Sequence, residues 1–131
     1  MSELTREEKQ ALIRAALHAR TRAVAPYSRF TVGAALRSAD GQVFTGCNIE
    51  NAAFTPTSCA ERTALFTAVS QGVTRFTDIA VVGAKMGEVN ELVTAPCGVC
   101  RQALYEFCGP SLNVIMAKTP DDFIERTLGE L

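Results

Sequence analysis

The run Phe30-Thr31-Val32-Gly33-Ala34-Ala35-Leu36, followed by Asp40-Gly41 and then by Val43 to Ile49, decides the class of fold. Its first part is apolar and strand-forming, Asp-Gly is a turn signal, and the second part returns as a strand, so the two form a hairpin. On the N-terminal side, Thr5 and Glu8 make a capping box that opens a helix from Thr5 to about Val24. Leu12, Ala15, Ala16 and Ala19 recur along it at helical spacing, and Pro26 lies just beyond its end. On the C-terminal side, Asn51 to Ser58, with Pro56 inside, reads as a loop. A second helix runs from Cys59 to about Val69 and ends before Gln71-Gly72. Ile79-Ala80-Val81-Val82-Gly83 is wholly apolar, as expected of a strand covered on both faces. Pro96 precedes a third helix, about Cys97 to Phe107, which Gly109-Pro110 stops. Leu112 to Met116 and Phe123 to Leu128 read as two further strands. A helix, a hairpin and then alternating helices and strands predict a three-layer α/β/α sandwich with a mixed β-sheet. No repeat, low-complexity tract or linker interrupts it, so residues 1–131 are expected to form one domain.

Composition narrows the function classes. A hydrophobic content of 47% with 21% charged residues is ordinary globular usage and leaves room for a real core. Thirteen basic residues against 14 acidic ones give a net charge of −1, which does not suit a nucleic-acid surface but is compatible with a small neutral ligand. The opening Met1 to Lys9 carries Glu3, Glu7 and Glu8 and lacks the apolar segment of a signal peptide. No run approaches the roughly 18 apolar residues of a membrane helix. The expectation is a soluble cytoplasmic protein with neither a nucleic-acid nor a membrane partner. Five cysteines, an odd number without an export signal, read better as metal-binding or catalytic thiols than as a disulfide framework.

Two short motifs concentrate the chemistry: Cys59-Ala60-Glu61 and Pro96-Cys97-Gly98-Val99-Cys100, each opening a predicted helix. Cys97 and Cys100 stand three apart, so both sulfurs can face one point, and helix N-termini favour thiolates. Two such helices side by side would offer three thiolates to one tetrahedral zinc, leaving a fourth position for water. Glu61, two residues past Cys59, could then move protons without being a ligand. A redox pair or a closed structural zinc site are the plainer alternatives for Cys-x-x-Cys. The first leaves Cys59 and Glu61 unexplained. The second needs a fourth ligand, and neither Cys47 on a strand nor Cys108 at the far end of the third helix is well placed for it. Both read as small buried apolar residues, and His18, the only histidine, as a surface or half-buried position on the first helix.

The order Cys-x-Glu then Pro-Cys-x-x-Cys resembles the three-cysteine variant of the zinc deaminase signature. The runs Ala25 to Phe30, Val32 to Leu36, Gly46 to Ala52, Cys59 to Ala64 and Pro96 to Gln102 extend the likeness to the small, homotetrameric type of cytidine deaminase, in order along nearly the whole chain. The resemblance implies one zinc per chain held by Cys59, Cys97 and Cys100, with Glu61 as the proton shuttle. It implies that Asn48 and Glu50 hydrogen-bond the ribose, chiefly its 3′-hydroxyl, that Phe30 packs on the pyrimidine, and that the Ala60 carbonyl meets the amino edge of the base. Arg62 matches a residue that hydrogen-bonds the zinc thiolates and offsets their charge. Two departures stand out. Relatives often carry tyrosine and glycine where this chain has Phe54 and Thr55, and they often continue past the position of Leu131 into a tail that covers a neighbour's pocket, so pocket closure is expected to differ.

The reading that follows is hydrolytic deamination of free cytidine and deoxycytidine. Two rivals keep parts of it: a deaminase of a cytosine-nucleoside antibiotic or modified nucleoside, which would share the zinc and the glutamate, and a non-catalytic zinc-stabilised module, for which Glu61 would matter only to stability.

Overall fold

The protein is described by a computed structural model that covers residues 3–53, 56–86 and 94–131. Thr5 caps helix α1 (Arg6–Arg20) with the expected reciprocal bonds to Glu8. The helix stops four residues earlier than the pattern suggests. The amides of Thr21, Arg22 and Ala23 turn back three residues onto His18, Ala19 and Arg20, and the amide of Val24 instead bonds Asn48 O at 3.0 Å. A long-range contact thus takes the chain out of the helix, which is why local periodicity did not place the end.

Strands β1 (Phe30–Ser38) and β2 (Val43–Cys47) form the hairpin, with Gly33 opposite Cys47 and Arg37 opposite Val43. Gly41 turns it at φ +91°, a backbone region open to glycine at little cost. β2 ends at Cys47 and not at Ile49, because residue 49 leaves β1 and bridges Val24 on one side and Ser58 on the other. Helix α2 (Ala60–Ser70), strand β3 (Phe76–Lys85), helix α3 (Gly98–Cys108) and strands β4 (Asn113–Thr119) and β5 (Asp122–Thr127) follow. The sheet order is β2-β1-β3-β4-β5, and only the β3–β4 pair is parallel. The sheet is therefore mixed, as expected.

Alternation along the strands explains the layers. Leu36, Ile79, Val81, Val114 and Met116 point to one face, where they pack with Ala64, Leu65 and Ala68 of α2 and Leu104 of α3. Ala35, Ala80, Val82, Ile115 and Ala117 point to the other, where Leu12, Ile13 and Ala16 of α1 cover them. One helix below and two above make the α/β/α sandwich. The apolar run at 79–82 is fully buried, as a doubly covered strand requires.

The upper helices are brought close by a missing side chain. A Cβ on Gly46 of β2 would lie 2.5 Å from both the Ala60 carbonyl oxygen and the Ala64 nitrogen of α2, so the helix backbone rests directly on the strand. No flexible group is available there to move aside. Gly46→Ala should therefore push α2 off the sheet and destabilise the fold by about 1–3 kcal/mol, lowering the thermal midpoint by at least about 5 °C in calorimetry. An unchanged midpoint would mean that α2 is not seated as described.

Candidate metal centre and active site

The amino end of β1, the carboxyl ends of β2 and β3 and the amino ends of α2 and α3 share one edge of the sheet, since Phe30 pairs with Lys85 and Gly33 with Cys47. Open α/β sheets present their sites at such edges. Cys59 and Cys97 are not the first helical residues but the N-caps of α2 and α3, with extended backbone (φ −75° and −70°). That one-residue difference aims each sulfur back across its helix mouth. The Cys97 sulfur accepts the Cys100 amide at 3.4 Å, capping α3 with a thiol.

The Sγ atoms of Cys59, Cys97 and Cys100 all lie within 4.8 Å of one another. Cys59 and Cys97 are 3.7 Å apart, and Cys97 and Cys100 3.2 Å. Sulfurs about 2.3 Å from a tetrahedral zinc stand about 3.8 Å from each other, so this donor set fits the ion in type and in spacing. Burial works against ionisation of Cys97, but the Cys100 amide and the neighbouring thiols outweigh it, and its thiol sits below the ordinary cysteine value. Burial and the Glu61 carboxylate hold Cys100 far above it. A divalent ion bound among the three sulfurs would oppose the penalty on the Cys100 thiolate.

Arg62 leans over the cluster and donates from Nη2 to Cys59 Sγ at 3.4 Å. Its contact with Cys59, and then with Cys100, raises its affinity for the proton. Its Nε is buried without a hydrogen-bond partner among the described residues. Glu61, only 4% exposed, lies on the inner side of the same helix turn. Burial pushes its carboxyl above the usual range, while its own amide, the Cys100 thiol and the Cys97 amide partly offset the shift by hydrogen bonding.

The remaining positions fall on the same edge. Glu50 N bonds Val24 O, while Ile49 exchanges bonds with Ser58, the residue before Cys59, so residues 48–50 form a strip running alongside the metal ligands. Asn48 is tied to β1: its Oδ1 accepts the Val32 amide and its Nδ2 donates to Phe30 O, both at 2.8 Å. Phe30 is not core; it is 38% exposed, with its ring edge over Gly83 and beside Thr94. The Ala60 carbonyl oxygen, expected at the edge of the base, lies 2.5 Å from where a Cβ on Gly46 would stand. Phe54 and Thr55 lie outside the described residues. His18 is exposed. Cys47 and Cys108, read from the sequence as small buried residues, are half-buried; burial raises both, Cys108 to about 12, and neither joins the cluster. Sequence reasoning missed the grip on Glu50: the amides of Tyr27 and Ser28 bond Oε1, each at 3.0 Å, and the Ser28 hydroxyl bonds Oε2. It also missed Arg101, whose Nε bonds the Pro96 carbonyl at 2.9 Å and steadies the turn into α3.

Comparison with known proteins agrees with this geometry. Residues 6–116 match the family model described as the cytidine and deoxycytidylate deaminase zinc-binding region. A cytidine deaminase of Sporosarcina psychrophila is 48% identical over 92% of this chain and 85% of its own length. One of Halalkalibacterium halodurans is 46% identical over 95% and 90%. The crystal structure of cytidine deaminase from Burkholderia pseudomallei superposes with a TM-score of 0.83 at 44% identity, covering 99% of this chain and 95% of that one. No helix among the described residues is long and apolar enough to cross a membrane. The chain belongs to the cytidine and deoxycytidylate deaminase family, and the matched zinc-binding region contains its three-thiol cluster.

Proposed function

We propose that the protein is a zinc-dependent hydrolase that converts free cytidine and 2′-deoxycytidine to uridine and 2′-deoxyuridine with release of ammonia. The observation that supports it best is the meeting of Cys59, Cys97 and Cys100 with a buried carboxyl, Glu61, on the inner side of the same helix turn. Three protein ligands are the number expected of a catalytic zinc site, since structural sites use four. Zinc held there supplies Lewis acidity that makes water nucleophilic near neutral pH.

The chain's own residues do the rest. Glu61 takes a proton from the attacking water and delivers it to the ring nitrogen beside the reacting carbon. It then takes the proton of the hydroxyl newly attached to that carbon and passes it to the amine, which leaves as ammonia as the carbonyl forms. Burial keeps bulk water from competing for that proton. Arg62 offsets the excess negative charge of three thiolates around a divalent ion. Phe30, exposed at the site edge, packs on the base, and Asn48 and Glu50 face the sugar. Five free thiols suit a reducing compartment, so the proposed location is the cytoplasm. Phe66, Val99 and Tyr105, each at least half exposed on the outer helices, suit a homo-oligomer, a tetramer by family likeness.

Cys97→Ala should lose the zinc by elemental analysis, whereas Cys108→Ala should keep it; full occupancy in Cys97→Ala would remove that residue from the ligand set. Glu61→Gln decides between enzyme and zinc module. It keeps the size and removes the titratable proton, so zinc content and thermal midpoint should stay near wild type while turnover falls by at least about a thousandfold. Activity within tenfold of wild type in zinc-loaded Glu61→Gln would assign the proton transfers elsewhere.

A further inference from the structure

Glu50 reaches the site edge from a strip without regular secondary structure, so something must fix its carboxylate. Its oxygens are taken up almost wholly by one short turn. Oε1 accepts two amides, those of Tyr27 and Ser28, and Oε2 accepts the Ser28 hydroxyl. The same hydroxyl oxygen accepts the Phe30 amide at 3.1 Å. Ser28 therefore relays between the carboxylate of Glu50 and the backbone of Phe30. The turn it belongs to is strained: Arg29, at φ +59°, is the only non-glycine residue with positive φ among the described residues. Such a conformation persists where surroundings over-determine it. Here the Arg29 amide is bound to Ala25 O at 3.0 Å and its carbonyl to the Met86 amide at 2.7 Å.

We propose that Ser28 is a positioning residue for sugar recognition: its hydroxyl orients the Glu50 carboxylate, leaving one lone-pair direction of Oε2 for the 3′-hydroxyl, and couples that carboxylate to the segment carrying Phe30. The proposal rests on the reading of Glu50 as a sugar contact. The Ser28 hydroxyl and then its amide also hold Glu50 below the usual carboxylate range, so it stays an ionised acceptor across ordinary pH. A carboxylate without the hydroxyl contact keeps its two amide bonds but can swing its second oxygen away from the substrate.

The test compares 2′-deoxycytidine with 2′,3′-dideoxycytidine, which differ only in the 3′-hydroxyl, on zinc-loaded enzyme. For Ser28→Ala, kcat/KM on deoxycytidine should fall about 3- to 10-fold, the worth of one oriented hydrogen bond, mainly through KM. On the dideoxy substrate it should change less than about twofold. Ser28→Thr, which retains the hydroxyl, should recover most of the loss. Should Ser28→Ala fail to fold, Ser28→Cys, a weak donor of similar size, takes its place. Equal losses on both substrates, or a fall confined to kcat, would make Ser28 merely structural and overturn the proposal. Glu50→Ala separates the two readings. If it loses the preference for the 3′-hydroxyl while Ser28→Ala keeps it, the inference about Ser28 fails alone. If Glu50→Ala keeps that preference, the sugar role of Glu50 fails and the inference falls with it.

Discussion

Three thiols packed within one coordination sphere are a concentration of incipient negative charge, and the rest of the site is arranged around that charge. Two helix amino ends, α2 and α3, point their unpaired amides at it, and the Cys100 amide already bonds the Cys97 sulfur. Arg62 adds a full positive charge from the first turn of α2. These groups can act together only if the two helices lie side by side on one face of the sheet. The shared core of Leu65, Leu104, Val81 and Met116 achieves this, and the absence of a side chain at Gly46 sets how closely α2 approaches. Hydrophobic packing and site electrostatics are therefore one constraint: a helix displaced by an ångström would separate the sulfurs and remove the amides from them together.

The same edge of the sheet divides the work by depth. Glu61, Cys100 and Ala60 are buried, so the proton transfers proposed for Glu61 would take place away from bulk solvent. Phe30, Asn48 and Glu50 lie nearer the surface, where a polar sugar, as proposed, would keep part of its hydration. The two depths are joined through backbone, since Ile49 bonds Ser58 and Ser58 precedes the first thiol. Under the proposed function, a sugar bound at residues 48–50 would be held at a fixed offset from the three cysteines, and orientation of this kind accounts for much of what an enzyme gains over a free reagent.

The readable parts of this architecture are those set by local chemistry. The Asp40-Gly41 turn, the capping box at Thr5 and Glu8, and the doubly buried run at 79–82 follow from rules spanning a few residues, and the layers follow from them. The cysteine spacing made the metal site legible for the same reason: a three-residue separation fixes where two side chains of a helical turn can meet. What was not legible depends on contacts across the chain. α1 ends early because the Val24 amide finds Asn48, and β2 ends early because Ile49 finds Ser58. The hold of Tyr27 and Ser28 on Glu50 spans more than twenty positions and had no signal beyond turn-forming residue types. Placing Cys59 and Cys97 as caps and not as first-turn residues likewise needed backbone angles.

The proposed activity stands or falls on whether this fold removes the exocyclic amine of a cytosine nucleoside. The most direct measurement follows the fall in ultraviolet absorbance of cytidine, with ammonia quantified in parallel, using purified zinc-loaded protein. Deoxycytidine, deoxycytidine monophosphate, adenosine and free cytosine serve as comparison substrates. Stoichiometric uridine and ammonia are expected from cytidine, with comparable turnover of deoxycytidine and little with the monophosphate, adenosine or the free base. A folded, fully zinc-loaded protein that leaves cytidine and deoxycytidine unchanged would contradict the proposed activity.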